Sequence, residues 1–216
     1  ELYDTFKASY PDTFYGFYSV PEIWNHFAWK NAATRTKYAD TLSDYFNTMI
    51  ATIEKNDASM PLMFSPFSTP NKSWLCNKTQ MQAFYTELFK KTNFRKIDAF
   101  CPMDNIGGGG MSLDLLPEWT KAYYDAVKDG GDKLQFWSNC ETFIQPKSSE
   151  SDNDDKWGAC DVGRYVKQME TVKPYVSKII SFSYPHYFSP VNTVAGFHET
   201  FLEYLQTGKL EDEPPT

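Results

Sequence analysis

The feature that most limits what this chain can fold into is an alternation. Short apolar runs with strand character and amphipathic stretches with helical spacing follow one another five times. The strand-like runs are Tyr15–Val20, Pro61–Ser65, Lys96–Met103, Lys133–Asn139 and Lys178–Ser183. The helical stretches lie near residues 34–54, 78–91, 116–129, 161–172 and 194–206. The first of these carries Tyr38, Leu42, Tyr45, Met49 and Ile53 on one stripe, and the second turns Met81, Phe84 and Leu88 inward. Gly130-Gly131 and Pro174 stop the third and fourth. Strands that are apolar almost throughout, each followed by a helix, predict a parallel α/β sheet covered on its faces.

Two architectures satisfy that pattern: a five-stranded doubly wound sheet, or part of an eight-stranded (β/α)8 TIM barrel. Eight units of this size need roughly 100 or more further residues, within the usual barrel range. Residues 1–10 place Leu2, Phe6 and Tyr10 at helical spacing with no N-cap signal before them, as in the tail of a helix begun upstream. The expected organisation is one barrel-like domain over residues 1–208, lacking its N-terminal units, and a linker or tail over 209–216.

Composition removes several function classes. A formal net charge of −7 disfavours a nucleic-acid surface, which needs clustered Lys and Arg. No apolar run reaches the length of a membrane span. Cys76, Cys101, Cys140 and Cys160 have no paired spacing for zinc, and His26, His186 and His198 share no ligand spacing, so neither a metal nor a cofactor is expected. The run Asp152–Asp155 lacks the glycine and distal Glu of a calcium loop. Cys140 and Cys160 flank a polar loop and are placed to be bridged in an exported protein. Asn71-Lys72-Ser73 and Asn77-Lys78-Thr79 fit glycosylation acceptors, and the lean is to a secreted or cell-surface location.

The chemistry-bearing positions sit at the carboxyl ends of the predicted strands. Glu22 follows the first and Glu141 the fourth, in the same register relative to their strands. In a barrel these ends gather at one mouth, where paired carboxylates perform acid/base and nucleophilic work on a glycosidic bond. Each glutamate alone is equally well read as a structural residue, Glu22 as a first-turn acid favoured by the helix dipole. Asp104 and Asn105 suit sugar hydroxyls or a turn into the IGGGG loop. That glycine run lets the backbone approach some other group closely and matches no phosphate fingerprint. Trp24, Asn139, Tyr184, His186 and Tyr187 complete the candidate substrate-binding set, with Trp74 and Trp137 as further rings.

FYGFYSVPEIWN, LMFSPF, IDAFCPMDNIGGG, LQFWSNCETF and IISFSYPHYFSP, in that order, resemble the successive blocks of a bacterial glycoside-hydrolase-like barrel domain of unknown function, family four-four-three-four of that series. More distantly the chain resembles the retaining glycoside hydrolases with glutamates on barrel strands four and seven. The resemblance implies that these five units are strands four to eight, with Glu22 as acid/base and Glu141 as nucleophile. It also implies a carbohydrate ligand, and that either the missing N-terminal part of the barrel or a second copy completes the fold. One departure stands out: Pro21 occupies the position where those relatives carry an Asn before the acid/base Glu. This favours the alternative of a non-catalytic carbohydrate-binding or assembly domain. A doubly wound domain holding a small ligand at its strand ends is the third reading.

Overall fold

The computed structural model describes residues 1–70, 72–145, 157–191 and 196–210. Asn71 and the run Asp152–Asp155 lie outside the described residues, as does most of the expected tail. In chain order the elements are α1 (Leu2–Phe6), β1 (Phe17–Ser19), a 3-10 turn (Phe27–Lys30), α2 (Ala32–Asp57), β2 (Leu62–Phe64) and α3 (Lys78–Lys91). There follow β3 (Ala99–Phe100), α4 (Leu116–Asp129), β4 (Gln135–Glu141), β5 (Phe143–Ile144) and β6 (Gly158–Ala159). The series ends with α5 (Val162–Val172), β7 (Lys178–Phe182), α6 (Tyr184–Tyr187) and α7 (Phe197–Thr207).

The helix boundaries follow from residues that satisfy the end groups of the backbone. Asn31 caps α2 by accepting the Thr34 N–H at 3.0 Å. Asn77 and Gln80 form a reciprocal box at the start of α3, each side chain taking the other's backbone N–H at 3.0 Å. Asp161 does the same work for α5 through the N–H of Arg164, at 2.9 Å. The Asn77 side chain, one of the two expected glycosylation acceptors, is thus engaged as a helix cap.

The main sheet is wholly parallel and its order, β1-β2-β3-β4-β7, never reverses. Crossovers between parallel strands are right-handed, so a sheet that grows in one direction places every connecting helix on the same face. This overturns the doubly wound alternative, which requires a reversal of strand order. The result is a curled half-barrel of five β/α units. An antiparallel ribbon, β5 with β6, projects just beyond β4 and was not foreseen.

The two faces of the sheet have different chemistry. Leu62, Phe64, Phe100 and Phe136 point outward into the helical layer, where Phe46, Phe84, Leu88, Phe89 and Phe94 meet them. Rings run across the strands: Phe64 to Phe100 at 5.2 Å between centroids, then Phe100 to Phe136 at 5.7 Å. The inner face holds a smaller cluster of Ala99, Cys101 and Trp137, flanked by Met63 and Ile180. All four cysteines are free and buried, so the expected Cys140–Cys160 bridge is not formed. Cys140 instead keeps its sulfur 3.7 Å from Ser138 Oγ, two residues away on the same face of β4.

At the amino-terminal end of the sheet, Asp98 closes the barrel bottom. Its Oδ1 accepts the Leu62 N–H at 2.9 Å and the Arg95 guanidinium at 2.6 Å, and Arg95 reaches on to the Met60 carbonyl at 2.9 Å. Asp98 is 1% exposed and joins β2 to the turn before β3. Replacing it by Ala strands a buried N–H and a half-covered guanidinium. We expect Asp98→Ala to lose about 3–5 kcal/mol in urea unfolding, as for other broken buried pairs. A loss within the error of a neutral surface change would remove Asp98 from this role.

Candidate functional site

Alternation along β4 carries Trp137, Asn139 and Glu141 to the inner face and Phe136, Ser138 and Cys140 to the outer. Glu141 therefore ends the strand on the concave side, in register with Phe182 of β7. It is 5% exposed. Its Oε2 accepts the Gly108 N–H at 2.9 Å. The glycine loop makes this possible: a Cβ at Gly107 would stand 2.5 Å from the Phe143 carbonyl oxygen and 3.0 Å from Glu141 Oε2. The group that the IGGGG run approaches is the carboxylate of Glu141.

Beneath the loop lies Asp104, 3% exposed. Its Oδ1 accepts the N–H of Ile106 at 3.2 Å and that of Glu141 at 3.3 Å, and its Oδ2 takes the side-chain amide of Gln168 from α5. The same amide reaches the Glu141 carbonyl at 3.2 Å. Arg164, one turn earlier, donates to the carbonyls of Glu141 and Phe143 at 3.1 and 2.6 Å. Gln168 and Arg164 were not anticipated. On a helix they read as ordinary positions of an amphipathic stretch, and their partners come only through the fold.

Burial raises both carboxyls. It pushes Asp104 up to about 6, against hydrogen bonds from Gln168, Ile106 and Glu141 that pull it down. Burial and then the neighbouring Asp104 charge push Glu141 up to about 7, opposed by the N–H groups of Gly108 and Gly107 and by Arg164. Both carboxyls therefore have their titration range shifted toward neutrality, where a carboxyl can give or take a proton.

An aromatic group lies just beyond Glu141, whose register partner on β7 is Phe182. Phe143 stacks on Trp157 with centroids 4.4 Å apart and lies 5.7 Å from Tyr187 and 6.1 Å from Phe182. Trp157 and Phe182 are 43% and 52% exposed, and neither was picked out in sequence. Asn139 is buried on the inner face, its amide nitrogen 3.4 Å from Ser65 Oγ and its Oδ1 without a partner among the described residues.

The remaining candidates are distributed around the rim. Asn105 adopts a left-handed φ of 53° and donates to Ser68 O at 2.9 Å and Thr69 Oγ1 at 3.2 Å, tying the glycine loop to the segment after β2. Tyr184 pairs its hydroxyl with His198 Nδ1, and His186 pairs with Ser183 Oγ, both on the short α6 after β7. Glu22 is exposed and follows the edge strand β1, with β2 and β3 between that strand and β4. It lines a cavity of about 640 Å³ together with Trp24, His26, Lys37 and Tyr38. Trp24 bridges to Phe67, extending the β1–β2 pairing toward the rim.

The pH dependence of folding follows from the raised carboxyls. Between the ordinary carboxylate range and about pH 7 the folded state holds protons that the unfolded state has released. This contribution to stability is fully present in acid and is lost as pH rises through 6 to 7. Glu141→Gln keeps an acceptor for Gly108 and cannot ionise. We expect its Tm to match the parent near pH 4 and to exceed it at pH 8; parallel Tm profiles would show that Glu141 titrates as an exposed acid.

The family model described as Domain of unknown function (DUF4434) matches residues 1–194. Among solved structures, a protein from Bacteroides thetaiotaomicron, provisionally described as an alpha-L-fucosidase, is similar with a TM-score of 0.69 and 16% sequence identity. The likeness covers 95% of this chain and 61% of that one, so the chain spans about three fifths of that protein's length. At this identity the likeness is one of fold. No curated protein matches.

Proposed function

Because the chain belongs to the DUF4434 family of unknown function, we propose on the evidence of its own residues that it is a glycoside-hydrolase-like domain acting on a carbohydrate. The observation that carries the proposal is Glu141: a buried carboxylate at the carboxyl end of an inner-face strand, held by a loop N–H and in register with the exposed ring of Phe182. In barrel enzymes this is the end of the sheet where chemistry is built.

Glu141 is assigned as nucleophile and Glu22 as acid/base. An oxygen of the Glu141 carboxylate bonds to the anomeric carbon as the glycosidic C–O bond breaks, and the leaving oxygen takes the Glu22 proton. Water, deprotonated by Glu22, then releases the sugar from Glu141. A buried carboxylate with a raised proton affinity gains most from the positive charge that develops on the sugar ring in the transition state. The exposed faces of Trp157 and Phe182 suit the apolar face of a pyranose, and the unpaired Asn139 Oδ1 suits a hydroxyl donor.

One observation favours the second reading, a domain that binds a saccharide without cleaving it. Glu22 stands at the exposed rim of an edge strand, next to Pro21 rather than an Asn. The two readings part on a single pair of measurements with a panel of aryl glycosides and with oligosaccharides in calorimetry. We expect turnover by the parent, none by Glu141→Gln, and a loss of about 10²–10⁴-fold in Glu22→Gln where the leaving group needs protonation. Full activity in Glu141→Gln would take that residue out of the mechanism. Saccharide binding without turnover by the parent would establish the second reading.

A further inference from the structure

Trp24 and Trp74, two of the rings expected to stack on a sugar, take no part in the aromatic group near Glu141. They belong to a second group, beyond the carboxyl ends of β1 and β2. Between ring centroids, Trp24 lies 6.2 Å from Trp74 and 4.7 Å from His26. Phe27 lies 4.3 Å from His26 and 6.4 Å from Trp74. Tyr38 of α2 stacks on His26 with centroids 5.4 Å apart. Phe27 and Trp74 are 52% and 57% exposed. Contiguous rings left this open on a folded surface mark a binding site.

The loops that carry these rings are fixed from beneath. Asn25, 1% exposed, accepts the Thr69 N–H at 2.9 Å and donates to the Cys76 carbonyl at 3.1 Å. One buried amide thus ties the segment after β1 to two points on the segment after β2. Lys30 reaches the Ser73 carbonyl at 3.2 Å, and the Phe67 N–H donates to the Ile23 carbonyl at 2.9 Å. His26 Nδ1 accepts the Ala28 N–H at 3.2 Å, which leaves the proton of the neutral ring on Nε2. Groups held in place before a ligand arrives lose less freedom when it binds.

Trp24, His26 and Tyr38 also line the cavity of about 640 Å³ that holds Glu22, and the exposed Lys37 lines it with them. Surfaces that dock proteins are depleted of charge at their cores. Ring faces set among a carboxylate, an ammonium and an imidazole suit instead a molecule with an apolar face and a hydroxylated edge, the chemistry of a sugar. We propose that Trp24, Phe27 and Trp74 form the subsite for the departing half of a saccharide, so that the substrate is an oligosaccharide cleaved between two sugars and not a sugar carried on a small aglycone. The inference rests on the assignment of Glu22 as acid/base: the oxygen that takes its proton must enter this cavity, together with whatever that oxygen carries. The sugar that is attacked belongs to the Glu141 side, and the sugar that leaves belongs to these rings.

The test sets the oligosaccharide that the parent cleaves fastest against the glycosyl fluoride of its attacked sugar, whose leaving group is a single atom. Values of kcat/KM are measured for both substrates in Trp74→Ala and Phe27→Ala. Each ring being half exposed, Tm should stay near that of the parent. The loss should be about 10-fold or more greater for the oligosaccharide than for the fluoride, as for the truncation of a binding anchor. Trp74→Phe should recover most of it. Equal losses on the two substrates, or a parent that cleaves glycosyl fluorides but no oligosaccharide, overturns the departing-sugar subsite and leaves the hydrolase reading standing. A parent that cleaves neither overturns both.

Discussion

The carboxyl end of the sheet depends on one buried carboxylate, that of Asp104. It gathers an N–H from the glycine loop, an N–H from the end of β4 and an amide from α5. All three partners are donors, so hydrogen bonding favours the ionised form while burial opposes it, and burial wins by enough to hold the group near 6. The same charge then acts on Glu141, whose own backbone N–H it accepts. Loop, strand end and helix are thus held by one acceptor, and the electrostatic character of Glu141 is set by the group that positions it.

A second constraint is the unequal treatment of the two faces of the sheet. The outer face is closed by helices and cross-strand rings, with nothing left for solvent to do. The inner face mixes Cys101 and Trp137 with Ser65, Asn139 and Glu141, all of them buried. Ser65 reaches the Cys101 carbonyl at 2.6 Å, but Asn139 Oδ1 has no partner among the described residues. Polar groups taken out of water without partners cost free energy, so an inner face of this kind is one built to meet polar matter.

How much of this could be read in advance depended on where each signal was written. Helices α3 and α4 were expected within their actual limits, because the spacing of Met81, Phe84 and Leu88 and the stop at Gly130 are local signals. The third strand was expected too long, Lys96–Met103 against an observed Ala99–Phe100; beyond Phe100 the chain stays bonded to its neighbours through the Cys101, Met103 and Asp104 N–H groups without forming a continuous ladder. The ribbon of β5 and β6 was missed: two-residue strands separated by a long polar stretch carry no periodicity. Glu141 was found because it ends an apolar run. Gln168, Arg164, Trp157 and Phe182 were not, because their roles exist only once α5, β6 and β7 are folded around β4.

The site has a cost that bears on its interpretation. Two carboxyls in one dry corner destabilise the fold as pH rises through their proton affinities, and an apolar residue at either place would avoid the penalty. Asp104 compensates through the three elements it joins. Glu141 does not: its side chain is met by the N–H of a glycine loop that tolerates no Cβ at Gly107, an arrangement that holds the carboxylate in place without neutralising it. Departures of this kind from stable packing occur where function demands them. On the proposed reading the compensation comes from the ligand, whose developing positive charge at the anomeric carbon supplies the counter-charge that the protein withholds.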